Sequence, residues 1–515
     1  MDFLLGTTHK IGDFTIDGSF GGNMFTLNNN NTSQGVTDFV VKDIYSIANG
    51  ITKTQDYGIS RLQVNSLYAF ADFGYKNFLY LNLTDRIDYF SVLTPPSSIV
   101  ADPKNSFNYY SVGSSFIFSE LLPKMSWLNY GKLRATYATS GNANGVNPYQ
   151  SQLTYTIGQQ LFGTYPIGTI TNTSNPNPKI EPYKVSEKEI GLELRTLKNR
   201  LNFDIAVYDK RTIGQILNVD LSPSSGYGST IANVAKLKNT GLEVLVEGTP
   251  IKTSNFSWNI TANAANNTSK VLALNPGQTR QLVVYFNGTG NEFLGSLVYD
   301  VGKEMNQLIS YTYRRNDKGQ IMLNSQGRLL PSETQVNYGS ANPKIIAGIT
   351  NTFQYKNFSL LIHFDGKFGG KLFSATALNG LRFGMSQASL VGRDGVVFDG
   401  VLPNGTQNTI SVAPNIFYAD YRTVQIADPF VFSSDFIKLR NITLTYDFTR
   451  FITKNVKFVK GLTLSAYCRN PAVLLKHIPD VDPEAFASSG DSRLGYEQHT
   501  EPTTRTFGLN LNVKF

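Results

Sequence analysis

Near the end of the chain, Phe507, Leu509, Leu511, Val513 and Phe515 alternate with Thr506, Gly508, Asn510, Asn512 and Lys514. A period of two places the two sets on opposite faces of a β-strand, so the pattern predicts a strand whose faces meet different surroundings. A soluble sandwich or barrel strand and a membrane-barrel strand both satisfy it. The signature recurs upstream. Leu201, Phe203, Ile205 and Val207 oppose Asn202, Asp204 and Ala206, and Phe256, Trp258, Ile260 and Ala262 oppose Ser257, Asn259, Thr261 and Asn263. A first strand is expected over 11–20, with Phe14, Ile16, Gly18 and Phe20 on one face. Others follow over 57–74, where Leu62, Val64, Tyr68 and Phe70 share a face, and over 78–88. Between them Asn28, Asn29, Asn30 and Asn31, then Thr32 and Ser33, supply nothing to bury and predict an exposed loop.

The connections decide between the two settings. Tyr75-Lys76-Asn77-Phe78 recurs as Tyr355-Lys356-Asn357-Phe358, with looser versions at 197–200 and 453–456. Asn tolerates the positive φ of tight hairpins, so these predict short turns, as do 123–129 and 252–255. Long connections are expected over 87–108, 140–186, 209–238, 264–344, 367–433 and 471–502. Short turns at one end and long loops at the other are the asymmetry of an outer-membrane barrel, and structureless loops of such length are uncommon in compact soluble domains. The chain therefore reads as all-β, a transmembrane antiparallel β-barrel portion of about fourteen strands with Phe515 on the short-turn side. Trp258, Phe507, Leu509, Leu511 and Phe515 are expected to face lipid or to serve assembly. One strand breaks phase: Lys438 and Arg440 share parity with Ile442, Leu444, Tyr446 and Phe448. Either a bulge lies near Asn441 or 436–440 projects above the bilayer; projection is the expectation, because charge costs least near the interface.

Composition agrees with this reading. Charged residues are 16% of 515, against roughly 25% in an average soluble protein. Aromatics reach 12%, and no run approaches the ~18 apolar residues of a spanning helix. Met1-Asp2-Phe3-Leu4-Leu5-Gly6 has no basic region of the kind that opens a signal peptide, so the expectation is a C-terminal piece, a truncated product or a processed chain. The formal net charge of +8 is dispersed, without the basic run of a nucleic-acid binder.

Candidate chemistry is sparse. His9, His363, His477 and His499 have no metal-ligand spacing, and the single Cys468 shares strand phase with Leu462, Leu464 and Ala466. Asp480, Asp482, Glu484 and Asp491 faintly resemble a calcium loop, but Ala485 stands where a glycine is needed, so a surface turn is expected. No phosphate loop or nucleophile elbow is visible; no enzyme activity and no cofactor are expected. Tyr227, Tyr311, Tyr313, Tyr418 and Tyr421 lie in the long connections and could stack on sugar rings, or instead pack the loops or meet a partner.

Several segments together resemble the C-terminal part of SusC/RagA-family TonB-linked outer-membrane proteins of Bacteroidetes. Ser434-Asp435-Phe436-Ile437-Lys438-Leu439-Arg440-Asn441-Ile442 resembles the family's Phe-x-Arg-Leu-x-Asn strand. Asn239-Thr240-Gly241-Leu242-Glu243 and Trp258 with Asn263 are similar to a strand start and its successor. Cys468-Arg469-Asn470-Pro471 with Asp482-Pro483-Glu484 resembles a late pair, where the family more often has Asn-Leu, and Arg134 to Asn142 a strand ending in Gly-Asn. The resemblance implies a parent with signal peptide, TonB box, plug and a barrel of about 22 strands. It also implies TonB, a SusD-like surface lipoprotein, the barrel-assembly machinery and outer-membrane lipid as partners. The implied function is import of oligosaccharides or peptides; the alternative is a structural or adhesin barrel without transport.

Overall fold

The computed structural model describes residues 1–95, 99–170, 172–286, 295–456, 458–484 and 494–515. Among them a sixteen-stranded sheet carries one continuous path of neighbouring strands, with only the short Ser174–Asn175 strand lying off it, beside the ninth strand of the path. In chain order the path is β1 Asp2–Ile11, β2 Phe14–Phe39, β3 Gly50–Tyr75, β4 Leu79–Phe90, β5 Ser106–Phe116, β6 Leu128–Asn142, β7 Tyr183–Thr196 and β8 Leu201–Asp220. It continues through β9 Ser229–Lys252, β10 Phe256–Ala273, β11 Ile345–Tyr355, β12 Phe358–Phe368, β13 Phe436–Asp447, β14 Gly461–Lys476 and β15 Thr506–Lys514. The chain divides into two compact units, one of Met1–Ser115, Ala135–Lys188 and Arg211–Lys236, the other of Phe116–Arg134, Glu189–Lys210 and Leu237–Phe515.

In the first unit, the strand expected over 11–20 proves to be two. Ile11 pairs with Phe14 across a two-residue turn at which Gly12 has φ +59°, so β1 and β2 form a hairpin. Apolar residues continue on both sides of Gly12-Asp13, which hid the reversal, and the count of about fourteen strands gains this one. The expected Asn-rich loop is also corrected. Asn28 to Asn31 pair with Arg61, Ser60, Ile59 and Gly58 in a ladder that runs from Phe14↔Tyr75 to Phe39↔Gly50. β1 reaches only Asn23 and β4 only Val64, so the remainder is a two-stranded ribbon, exposed over most of its length. Its backbone is satisfied by the partner strand and both faces meet water, so it needs no apolar alternation. The unit's core gathers Phe90, Leu93, Val146, Ile180, Ile216 and Ile231. The Tyr75–Phe78 turn is as expected, with Lys76 and Asn77 at φ +46° and +60°.

The expected 209–238 connection shrinks to 221–228, because β8 and β9 extend to 20 and 24 residues.

In the second unit, β10 to β15 pair antiparallel in sequence. Leu197, Lys198 and Asn199 turn with positive φ, as does Lys356. The expected turn at 453–456 is instead the end of a helix, Thr449–Asn455, whose first N–H, that of Thr449, is accepted by the Asp447 carboxylate ahead of the Phe448 cap. An antiparallel meander puts alternate connections at opposite ends. The short 253–255, 356–357 and 448–460 therefore share one end with Phe515, and the long 274–344, 369–435 and 477–505 share the other.

One face of this sheet is apolar across its strands. Trp258 lies beside Phe353, rings 5.7 Å apart, and the row continues through Leu360, Leu444, Ala466 and Leu509. Cys468 stands between Ile442 and Phe507 on the same face, as its phase predicts. The opposite face carries Asn259, Thr261, Thr350, Thr352, His363 and Asp365. The phase break is a bulge. His363 opposes Asn441 while Phe364 opposes Leu439, leaving Arg440 as the extra residue. The expected projection of 436–440 is corrected: the bulge reverses parity, so Leu439 joins the apolar face and Lys438 the polar one.

Candidate functional site

The long connections of the second unit are folded. Between β10 and β11, Arg280–Tyr285, Ser296–Asp300, Gln307–Ser310 and Val336–Ser340 form a four-stranded sheet. Between β12 and β13 lie α1, Ala375–Arg382, and α2, Pro414–Thr423. These pieces bury one core in which Phe286 stacks on Tyr496 with ring centroids 4.7 Å apart. Tyr496 comes from the last long connection, so all three connections share that core. Beside it Glu497, buried, accepts hydrogen bonds from the Ser374 and Thr376 hydroxyls at 2.6 and 2.5 Å at the start of α1, where a carboxylate is favoured.

Three of the five candidate tyrosines, Tyr313, Tyr418 and Tyr421, meet in this loop core, and Tyr311 touches its border through its carbonyl. The Tyr313 and Tyr421 hydroxyls are 3.0 Å apart, and Tyr421 packs edge-on against Phe430 and Phe417. Tyr418 donates to the Val391 carbonyl. The single Tyr338 hydroxyl proton is shared between the Tyr311 carbonyl and the Asp428 carboxylate, 3.0 and 3.1 Å away. Burial pushes the Tyr313 and Tyr421 hydroxyls up, so both remain protonated donors. Tyr421 is buried; Tyr311, Tyr313 and Tyr418 are half-buried. Tyr227, also half-buried, belongs to the other unit, between β8 and β9. The five residues expected to face lipid differ in exposure: Phe507, Leu509, Leu511 and Phe515 are exposed and Trp258 half-buried, its indole N–H 3.2 Å from the Asn351 side-chain oxygen.

A dense polar cluster among the described residues of this unit was not assembled from the sequence. At the bulge in β13, Lys438, only 2% exposed, reaches Asp482 at 2.5 Å and Glu484 at 2.7 Å. Arg440 bridges Glu484 at 2.5 Å and Asp365 of β12 at 2.6 Å, and Lys367 stands 3.6 Å from Glu484. The buried Phe436 ring lies beneath the three cations, 5.1 to 5.9 Å from them. Three cations thus face three carboxylates over one aromatic, a balance that buried charge requires. Burial raises the Asp482 pKa, but hydrogen bonds from Lys438, Thr503 and the Glu484 N–H outweigh it and hold the group at about 2. Glu484 is likewise lowered: burial opposes, and Lys438 and Arg440 prevail. The knot fastens the 477–505 connection to the sheet wall. Of the expected surface turn, Asp482 and Glu484 are committed to these cations, while Ala485 and Asp491 lie outside the described residues. No cluster of three metal-ligating side chains occurs among the described residues. The clue to the knot was the parity break at Lys438 together with the Asp-Pro-Glu run, two signals 44 residues apart.

The polar face holds a second ion-paired centre. Arg134 contacts Asp204 at 2.7 Å and Glu189 at 3.2 Å. Gly191 leaves the space in which the guanidinium lies, since a Cβ there would come within 2.3 Å of it.

Against known proteins, a family model described as TonB dependent receptor-like, beta-barrel, matches residues 2–470. TonB-dependent receptor P26 of Formosa agariphila is 26% identical over 490 residues, covering 90% of this chain and 47% of the relative. TonB-dependent receptor SusC of Bacteroides thetaiotaomicron is 22% identical over 398 residues, covering 75% and 37%. The structure of the RagAB peptide transporter shares the fold with TM-score 0.77 at 17% identity, covering 100% of this chain and 55% of that one. The RagAB peptide importer in its open-open state gives 0.79 at 16% identity. The chain thus spans about half the length of P26 and little more than a third of SusC. It belongs to the family of TonB-dependent receptor-like β-barrels, resembles SusC and RagA within it, and is an outer-membrane barrel protein.

Proposed function

We propose that this chain supplies the C-terminal barrel wall and outer loops of a TonB-dependent importer of oligosaccharides or peptides. In this reading TonB supplies the energy, a SusD-like surface lipoprotein delivers the substrate, and the barrel-assembly machinery inserts the protein. The observation that carries it is the shared loop core pinned to the wall by the Lys438–Asp482–Glu484 knot. Connections held in one arrangement present a shaped surface, which capture of a ligand needs and a passive barrel does not. Tyr311, Tyr313 and Tyr418, half-buried, are the proposed ligand contacts of the second unit, with Tyr421 supporting Tyr313; Tyr227 is proposed by itself as a contact in the first unit. Trp258, Phe507, Leu509, Leu511 and Phe515 are proposed to meet lipid.

The outer edges of β1 and β15 support the part played by this chain. Each pairs with one neighbour among the described residues, β1 with β2 and β15 with β14. An unpaired backbone group in lipid costs several kcal/mol, so further strands are proposed to complete both edges. The test is uptake of fluorescent oligosaccharides and peptides by source cells with the gene deleted, and separately with TonB deleted. Loss of the same substrate class in both supports import. Unchanged uptake with lost surface adhesion would favour the structural barrel instead.

A further inference from the structure

The apolar face of β9 to β13 is not smooth. Ala264, Ala347 and Gly366 pair in register across β10, β11 and β12, so two methyl side chains and a glycine form one transverse row. The next row toward the short turns holds Ala262, Ile349 and Phe364, which raises a wall over β11 and β12, and on the other side the Phe368 ring leans onto Gly366. Between these walls lies an open groove of about 370 Å³, bounded by Val244 at one end and Ile437 at the other. At a strand spacing of roughly 4.8 Å, the three-residue row spans about 10 Å, and the groove from Val244 to Ile437 about 19 Å across the sheet.

Its surroundings identify the occupant. The groove is continuous with the apolar face that runs through Leu360, Leu444 and Leu509, and in an outer-membrane barrel that face meets hydrocarbon. It sits near the long-connection end: Ala347 is two residues after the start of β11, and Gly366 two before the end of β12. Long loops of such barrels are extracellular, which places the groove in the outer half of the bilayer. Asn263 and Asp365 border the groove with the parity of the opposite face, so its surface is almost wholly apolar, and a dry apolar slot takes an apolar ligand. We infer that the groove seats one acyl chain of an outer-leaflet lipid, held across the strands by the Phe364 and Phe368 walls. The site is independent of the transport reading and needs only the lipid-facing orientation of this sheet.

The test uses the protein purified from its own outer membrane in mild detergent and reconstituted with a lipid A probe whose acyl chain carries a diazirine. Illumination of the unaltered protein is expected to concentrate adducts on peptides containing 262–264, 345–349 and 364–368. Adducts spread evenly along the apolar face, or a cross-link between two copies through these strands, would overturn the proposal. Ala347→Leu and Ala264→Leu fill the floor and are expected to lower lipid A retained in native mass spectrometry about tenfold. Ala466→Leu, on the same face outside the groove, retains it. Heat-modifiable migration on gels confirms folding of each variant, and equal retention by all folded variants would also overturn the site. Should the floor variants fail to fold, the adduct map alone decides.

Discussion

Lys438 of β13 and Asp482 of the last long connection meet at 2.5 Å, closing a link between residues 44 apart in the chain. Both side chains are nearly excluded from solvent, 2% and 5% exposed, and each has further partners: Lys438 binds Glu484, and Asp482 accepts from Thr503. The link exists because the Arg440 bulge turns Lys438 onto the polar face, toward Asp365.

Lys438→Met is therefore expected to destabilise the folded connection by about 3 kcal/mol, because it leaves Asp482 uncompensated where water cannot replace the ammonium. Urea titration with protease cleavage within 477–505 as readout checks this. Lys438→Arg should retain most of the stability, and unchanged cleavage in Lys438→Met would refute the role assigned to the link.

Acid should release the same connection. Asp482 has a folded pKa of about 2, below the unfolded value of roughly 3.9, so its contribution is fully present above the unfolded value and is lost as pH falls toward the folded one. Pepsin cleavage within 477–505 is expected to rise between about pH 4 and pH 2. In Asp482→Asn that pH dependence should flatten, with faster cleavage already at pH 4.

Leu509 is 76% exposed in the middle of β15, on the face shared with Leu464 and Leu511. Leu509→Arg should cost about 2–4 kcal/mol in the bilayer and reduce assembled protein, measured by heat-modifiable migration. Asn510→Arg, on the opposite face, should assemble normally; equal loss in both would contradict the assignment of faces.

Tyr421 and Tyr313 share a hydroxyl contact inside the loop core. Tyr421→Phe is expected to cost about 1 kcal/mol and Tyr421→Ala about 3–5 kcal/mol in the loops, read by protease sensitivity of 371–433. Tyr227→Ala should leave that stability unchanged while weakening ligand binding, measured by titration calorimetry with the substrate class found in the uptake screen.

Expressed alone behind a signal peptide, the chain is expected to show no TonB-dependent uptake, since β1 and β15 each keep an edge without a partner among the described residues. Energy-dependent uptake under those conditions, lost on TonB deletion, would refute the need for completing strands.

Alternation along Phe507 to Phe515 and along Phe256 to Asn263 was enough to establish strands with one apolar and one polar face, because the pleat assigns sides by local parity alone. The Lys-Asn turn at 76–77 was equally legible, its positive φ being a property of two residues. Pairing was not legible in the same way. The reversal at Gly12 lay inside a continuing apolar pattern, and the Asn-rich ribbon has water on both faces, so neither left a mark in hydrophobicity. Three-dimensional register alone decided that β13 bulges at Arg440, that Lys438 therefore faces Asp482, and that Ala264, Ala347 and Gly366 fall in one row. Periodicity reports which side of its own strand a residue takes. Which residue it meets across the sheet depends on ladder register and on where long connections fold back, set by contacts far apart in the chain.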